Sequence, residues 1–184
     1  MSFEEKDLLW ESKAKEPIMI RVVNMSQIDF DRWATINEEK TLHFDFWLIN
    51  GKRVEIKTRR YESAIKKKYF RNKDILIETL SCVERKTLGW IYTTIADYLA
   101  YAFVDNKWQI RRFYLFYFPV LKKWWMKEGR FKDYQKAFGK TYGVTELLYR
   151  TENETVPVKD IPYDCFLYHP DYGNLDYSTG YKID

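Results

Sequence analysis

The chain has 184 residues, a formal net charge of +4 and an aromatic content of 18%, with seven tryptophans. That length suits a single domain over residues 1–184 with a full core, and so small a net charge excludes a polybasic coat protein. Two cysteines, Cys82 and Cys165, stand far apart without a C-x-x-C pair, which speaks against both a disulfide framework and a zinc ribbon.

Taken in chain order, Ser2 and Glu5 form a capping box that starts a helix running to about Lys15. Pro17 ends it, and Ile18 to Val23 has the composition of a short strand. Residues 24–42 are polar and irregular, with a helical turn expected around Asp29 to Ala34. Next, Phe44, Phe46 and Leu48 alternate with His43, Asp45 and Trp47, and Val54 and Ile56 alternate with Arg53, Glu55 and Lys57. Both runs have the two-residue period of a half-buried strand, and Asn50-Gly51 between them is a turn signal.

The loop length follows from the apolar pattern. A two-residue turn would pair Phe46 with Glu55 and set the apolar face of one strand against the polar face of the other, which a sheet with one buried face does not tolerate. A three-residue loop of Ile49, Asn50 and Gly51, with Gly51 left-handed as a bulge, pairs Leu48 with Lys52 and Phe46 with Val54. Phe44, Phe46, Leu48, Val54 and Ile56 then form the core face. Asp45 falls opposite Glu55, with Lys57 on the same face and His43 cross-strand from Lys57.

Beyond the hairpin, residues 59–73 are strongly basic, and Asp74 to Leu80 reads as a strand. Gly89 marks a turn, and Thr93 or Thr94 caps a helix reaching about Phe103. The apolar stretch from Trp90 to Val104 is too short to span a bilayer and contains Asp97, and the charged N-terminus is unlike a signal peptide; a soluble, cytoplasmic protein with no membrane partner is expected. Arg112 to Phe118 is a strand ended by Pro119, and a helix from Val120 to about Phe138 carries Trp124 and Trp125. From Gly139 onward, glycines and prolines suggest extended segments and loops. The core is thus expected over about residues 3–118, with the C-terminal helix and extended segments over 119–184.

Directly opposed residues have Cβ atoms about 4.5–5.5 Å apart, so Asp45 and Glu55 are close enough to share a cation. Like charges that near repel unless neutralised. Oxygen-only ligands favour a hard ion, Mg²⁺ or Mn²⁺, over zinc, and the Lys57 ammonium can orient water or a phosphate. That set of groups is what phosphodiester hydrolysis needs; the bland alternative is an exposed sheet face carrying a charge ladder. Arg59, Arg60, Lys66, Lys67, Lys68, Arg71 and Lys73 follow the same strand and are candidates for contact with a nucleic-acid backbone. Glu78, on the next strand, either joins the carboxylates or serves as a buried partner for a lysine or arginine.

Asp45, Glu55-Ile56-Lys57, the basic segment and the strand from Asp74 resemble the core of the PD-(D/E)XK nuclease superfamily. The runs Ile77-Glu-Thr-Leu-Ser81, Gly89-Trp-Ile-Tyr92 and Ala96-Asp-Tyr-Leu99 resemble a pattern in its small phage or viral and Holliday-junction-resolvase-like members. The match covers roughly residues 3–104, and Phe44 stands where the motif's proline would be. The resemblance implies a mixed α/β fold with a restriction-endonuclease-like core, a central mixed sheet flanked by helices. It also implies a nuclease acting on DNA rather than RNA, often as a homodimer. Asp45 and Glu55 would then hold Mg²⁺ with the carbonyl of Ile56, Lys57 would assist the attacking water, and Glu11, with Glu4 and Glu5 as rivals, would supply a further acid from the first helix. Two alternatives remain: a non-catalytic nucleic-acid-binding or interaction module on the same fold, and a structure-specific Holliday-junction resolvase.

Overall fold

Ala14, Ile18 and Val22 recur at every fourth residue, the spacing that lines one face of a helix, and all three are fully buried. They belong to helix α1 (Phe3–Ser26), which runs straight through Pro17. The computed structural model describes the backbone of residues 3–61, 74–142, 147–171 and 173–174, and side chains within 12–61, 74–140 and 148–171. The expected stop at Pro17 and the strand over Ile18 to Val23 are therefore corrected. An interior proline costs a helix about 3 kcal/mol. Burying a side chain the size of Ile or Val contributes ~1.5–3 kcal/mol, so the Ile18–Val22 stripe offsets the break.

β1 (Phe30–Trp33) replaces the helical turn expected there. α2 (Ile36–Leu42) starts at Thr35, whose hydroxyl accepts from the Glu38 amide while the Glu38 carboxylate accepts from the Thr35 amide, a reciprocal cap. Then follow β2 (Phe46–Leu48), β3 (Arg53–Arg60), β4 (Asp74–Cys82), β5 (Thr87–Leu88), the single turn α3 (Trp90–Thr93) and β6 (Tyr98–Val104). β7 (Ile110–Tyr117), α4 (Phe118–Lys127), β8 (Gln135–Tyr142), β9 (Leu147–Pro157), β10 (Phe166–His169) and β11 (Gly173–Asn174) complete the chain.

Two sheets result. A seven-stranded mixed sheet has the order β1-β2-β3-β6-β7-β10-β11, and a four-stranded sheet the order β5-β4-β9-β8. β3 and β6 run parallel, in register from Val54↔Tyr98 to Arg60↔Val104, and the other pairings in the large sheet are antiparallel. Its one face packs Phe46, Leu48, Val54, Ile56, Ala100 and Ala102 against α1. Its other face packs Leu99, Tyr101, Phe103, Tyr114 and Phe116 against Ile75 and Ile77 of β4, Val156 of β9, and Leu121, Trp124 and Trp125 of α4. This is a mixed α+β fold whose central sheet is covered on both sides.

Double burial explains the largest differences from expectation. β6 sits in the middle of the sheet with Leu99 to Val104 all buried. A continuous apolar run of that kind lacks the alternation of a half-buried strand, which is why a helix is expected there and a strand is found. The helix begun at Phe118 ends at Lys127; of the residues expected in its second half, Gly129–Phe131 form a 3-10 turn and Gln135 to Phe138 enter β8. β8 pairs with β9 from Gln135↔Thr155 onward, so the extended segments expected in the C-terminal part join a sheet. Asp97, expected in a helix, lies in the approach to β6.

Candidate active site

The hairpin has the bulged turn that the apolar pattern requires. Phe46 pairs with Val54 and Trp47 with Arg53, the Leu48 amide donates to the Lys52 carbonyl at 2.9 Å, and Gly51 is left-handed at φ +75°. The ladder changes character one residue before Phe46. The Asp45 amide donates to the Val54 carbonyl at 2.8 Å, and the Asp45 carboxylate turns back to accept from the Ile56 amide at 2.6 Å. Asp45 thus clasps β3 on either side of Glu55. Phe44 is thrown to the face opposite Phe46, where it meets Trp47 edge-on at 5.1 Å; the single apolar face expected from Phe44 to Leu48 is corrected on this point.

Asp45 and Glu55 are both buried, at 8% and 6% exposure. Burial pushes the Glu55 carboxyl up to about 7, Lys57 pulls it down, and the Asp45 charge adds to the rise. Two lysines neutralise the pair. Lys15 of α1 places its Nζ 2.6 Å from Asp45 Oδ1 and 2.9 Å from Glu39. Burial works against the Lys15 charge, but Asp45 and Glu39 outweigh it and hold its pKa above the ordinary lysine value. Lys57 lies 2.5 Å from Glu55 Oε1; burial disfavours its charge too, and Glu55, Asp45 and Glu78 together raise its pKa. Both groups are ammonium ions at neutral pH.

Glu78 joins from the second sheet. Its carboxyl is raised by burial and lowered by Lys57 and by the Trp90 amide, which donates to Oε1 at 3.3 Å. Trp90 also lies under the Lys57 ammonium, 5.8 Å from the ring centre. Gly89 makes this approach feasible, because a Cβ there would stand 2.2 Å from the Glu78 carbonyl oxygen. Lys57, Arg59, Glu78, Trp90, Tyr101 and Asn153 line a cavity of about 160 Å³ beside the carboxylates. The Glu78-to-Ser81 and Gly89-Trp90-Ile91 segments, which follow Lys57 in sequence by more than twenty residues, are thereby brought to one lysine.

Among the described residues no group of three or more His, Cys, Asp or Glu is placed to hold a metal ion. The donor set that exists, two carboxylates with hard oxygen atoms, still suits Mg²⁺, which is commonly bound through one or two carboxylates and keeps several waters. The Lys15 and Lys57 ammonium groups occupy the positions where positive charge is needed. Ile56 meets Asp45 through its amide.

Other sequence candidates are placed as follows. His43 is not on a strand: it is the exposed, left-handed C-cap of α2, at φ 54°, so its cross-strand position beside Lys57 is corrected. Arg59 and Arg60 are adjacent on β3 and project to opposite faces of the sheet, opposite Phe103 and Val104. Glu11 lies within α1, its side chain outside the described residues, as are Lys66, Lys67, Lys68, Arg71 and Lys73. Asp97 is structural, accepting from the Arg53 amide and side chain and from Lys52. Sequence reasoning missed Lys15 and Trp90. Lys15 stands one helical turn beyond Glu11, an i, i+4 spacing that could have flagged it.

No helix among the described residues is long and apolar enough to cross a membrane. No known family model matches the chain, and no curated protein matches it either.

Proposed function

We propose that this chain is a metal-dependent nuclease that hydrolyses phosphodiester bonds of DNA, built on a restriction-endonuclease-like core of α1, the β2–β3 hairpin and the parallel strand β6. The observation that carries the proposal is the pair Asp45 and Glu55. Two buried carboxylates, Asp45 just before β2 and Glu55 on β3, each held by a lysine, are a costly arrangement for stability alone, because desolvating charge is expensive.

Asp45 and Glu55 would hold Mg²⁺, with Glu11 and the Ile56 carbonyl as the further ligands the superfamily resemblance implies. When bound, the ion supplies Lewis-acid polarisation of the phosphate and charge neutralisation. Lys57 would hold or help deprotonate the attacking water and stabilise negative charge on the phosphate. Trp90 packs beside the ammonium and Glu78 balances it, which fixes where the Lys57 head can point.

Asp45→Asn and Lys57→Ala test this directly. Each is expected to lower Mg²⁺-dependent cleavage of plasmid or linear DNA by at least ~10²-fold, the scale for losing one preorganised charge at a reacting centre, while thermal melts show a folded protein. Cleavage by both variants at the wild-type rate would sink the assignment. The closed ion pairs Lys15–Asp45 and Lys57–Glu55 also suit a non-catalytic nucleic-acid-binding module. That reading predicts DNA binding without cleavage and no heat on Mg²⁺ titration. A panel of four-way junctions against linear duplex separates a resolvase from a general nuclease, and sedimentation settles the proposed homodimer.

A further inference from the structure

The turn joining β6 to β7 holds a tryptophan in a conformation that bulky residues rarely adopt. Trp108 is left-handed at φ 58°, which costs free energy and persists only where the surroundings over-determine it. Asp105 does so. Its buried carboxylate accepts from the Lys107 and Gln109 amides at 2.8 and 2.9 Å and from Arg111 Nε at 2.7 Å. The Asp105 carbonyl accepts from the Trp108 amide, and its amide donates to Gln109. The product of this bracing is an indole that remains 37% exposed.

Trp108 forms one wall of a groove of about 460 Å³ between α1 and the turn that leads from β6 into β7, with Arg21, Arg111, Phe113 and Tyr168 along it. The arginines differ in what they already hold. Arg111 is bound to Asp105 and Arg112 to Asp171. Among the described residues, Arg21 has its hydrogen bond to the Tyr168 hydroxyl, at 3.4 Å, and lies 5.6 Å from the Tyr168 ring centre. Its buried Nε has no hydrogen-bond partner, and among the described residues no carboxylate pairs with it. Lys13 likewise has no carboxylate partner among them; its ammonium sits 4.6 Å from the Trp108 ring centre. An arginine stacked on an aromatic ring with N–H groups left over is suited to a phosphate, and an exposed indole is suited to a nucleobase, whatever its identity.

We infer that this groove binds single-stranded nucleic acid, with a base stacked on Trp108 and a phosphate on Arg21. The strand must be single because a base stacked between its neighbours in a duplex offers no free face to the indole. The inference deepens the proposed nuclease and rests on it for the class of ligand. The helix that sends Lys13 to Trp108 also sends Lys15 to Asp45, two residues on and toward a different side of α1.

The test is fluorescence anisotropy of a short dye-labelled oligothymidylate, titrated in EDTA so that no cleavage occurs, at several salt concentrations. Trp108→Ala is expected to weaken binding roughly tenfold to a hundredfold, the range for one stacked base, and Trp108→Phe to retain most of the affinity. Arg21→Gln should weaken binding and reduce the salt slope by about one. Thermal melts accompany each variant; if Trp108→Ala does not fold, Trp108→Phe and Arg21→Gln still decide. Unchanged affinity in Trp108→Ala and Arg21→Gln overturns the inference, as does a Phe variant that loses as much as Ala, which would make Trp108 a clamp for Lys13. Wild-type protein that binds no oligonucleotide, or binds only duplex, overturns it too and points to a protein partner for the groove. The two proposals fail separately. If wild-type protein does not cleave while Trp108→Ala loses oligonucleotide binding, the nuclease reading falls and the groove stands; if cleavage depends on Asp45 while Trp108→Ala binds as wild type, the groove alone is removed.

Discussion

Asp97→Asn isolates how the fold holds its hairpin in place. Asp97 Oδ1 takes the Lys52 ammonium at 3.1 Å, and Oδ2 takes the Arg53 amide at 3.0 Å and the Arg53 side chain at 3.2 Å. Burial opposes the Asp97 charge, but these bonds outweigh it and keep the carboxyl below its ordinary pKa. An asparagine of the same shape keeps one acceptor for the Arg53 amide and loses the ionic half of two contacts. Lys52 and Arg53 are 40% and 30% exposed, so each contact is worth ~0.5–1 kcal/mol rather than the value of a buried pair. The expected loss is ~1–2 kcal/mol at pH 7, a fall in Tm of roughly 2–8 °C for a chain of this size. A depressed carboxyl stabilises the fold fully above its unfolded pKa of ~3.9 and loses that contribution as the pH falls through its lower folded value. The gap in Tm between wild type and variant, measured by circular dichroism, should therefore be largest at neutral pH and close as the solution is acidified. A gap that is absent at pH 7, or that persists undiminished in acid, refutes the electrostatic account of this contact.

Two further substitutions probe the site. Gly89→Ala has an allowed backbone, at φ −77° and ψ 174°, yet its Cβ would stand 2.2 and 2.5 Å from the Glu78 carbonyl oxygen and carbon; the expected cost is at least the ~1–3 kcal/mol of overpacking, read in thermal melts, and an unchanged Tm would show that the turn can move freely off β4. Lys15→Met leaves Asp45 buried without its ion pair, which should destabilise the metal-free protein by ~2–4 kcal/mol, with more of the loss recovered in excess Mg²⁺ than wild type gains. If Mg²⁺ shifts the melting of both proteins equally, Asp45 is not part of a cation site.

The hairpin was legible because its information is local. Alternation in Phe46–Leu48 and Val54–Ile56 and the Asn50-Gly51 turn together admit one register, and the structure has it. β4 and β7 were legible for the same reason. β6 was not, because Leu99 to Val104 are buried on both sides by partners far away in sequence, and a strand covered on both faces has no period to detect. The α1 error was of the opposite kind. Pro17 and the β-branched Ile18, Val22 and Val23 are honest local signals for a break and a strand, and tertiary burial of one helical stripe overrode them. At the site, spacing placed Asp45 beside Glu55, yet it could not show that Asp45 bends back onto the Ile56 amide, nor that helix α1 sends Lys15 to meet it.

That lysine changes how the carboxylates are understood. Two buried acids side by side are unstable as bare anions, and the chain's own answer is to give each an ammonium: Lys15 from the helix beneath the sheet and Lys57 from the strand itself. The two lysines are not equivalent. The two side chains are about equally exposed, 31% for Lys57 and 34% for Lys15, and what separates them is their partners. Lys57 sits between Glu55, Glu78 and the Trp90 ring, all on the reacting side of β3, whereas Lys15 already shares itself between Asp45 and Glu39, so it can swing to Glu39 and free an Asp45 oxygen at small cost. An asymmetric pair of this kind keeps the fold intact in the absence of a cation while leaving Asp45 the more available ligand. It follows that cation affinity should respond to Lys15 and Glu39 substitutions, whereas Lys57 substitutions should be felt first in chemistry.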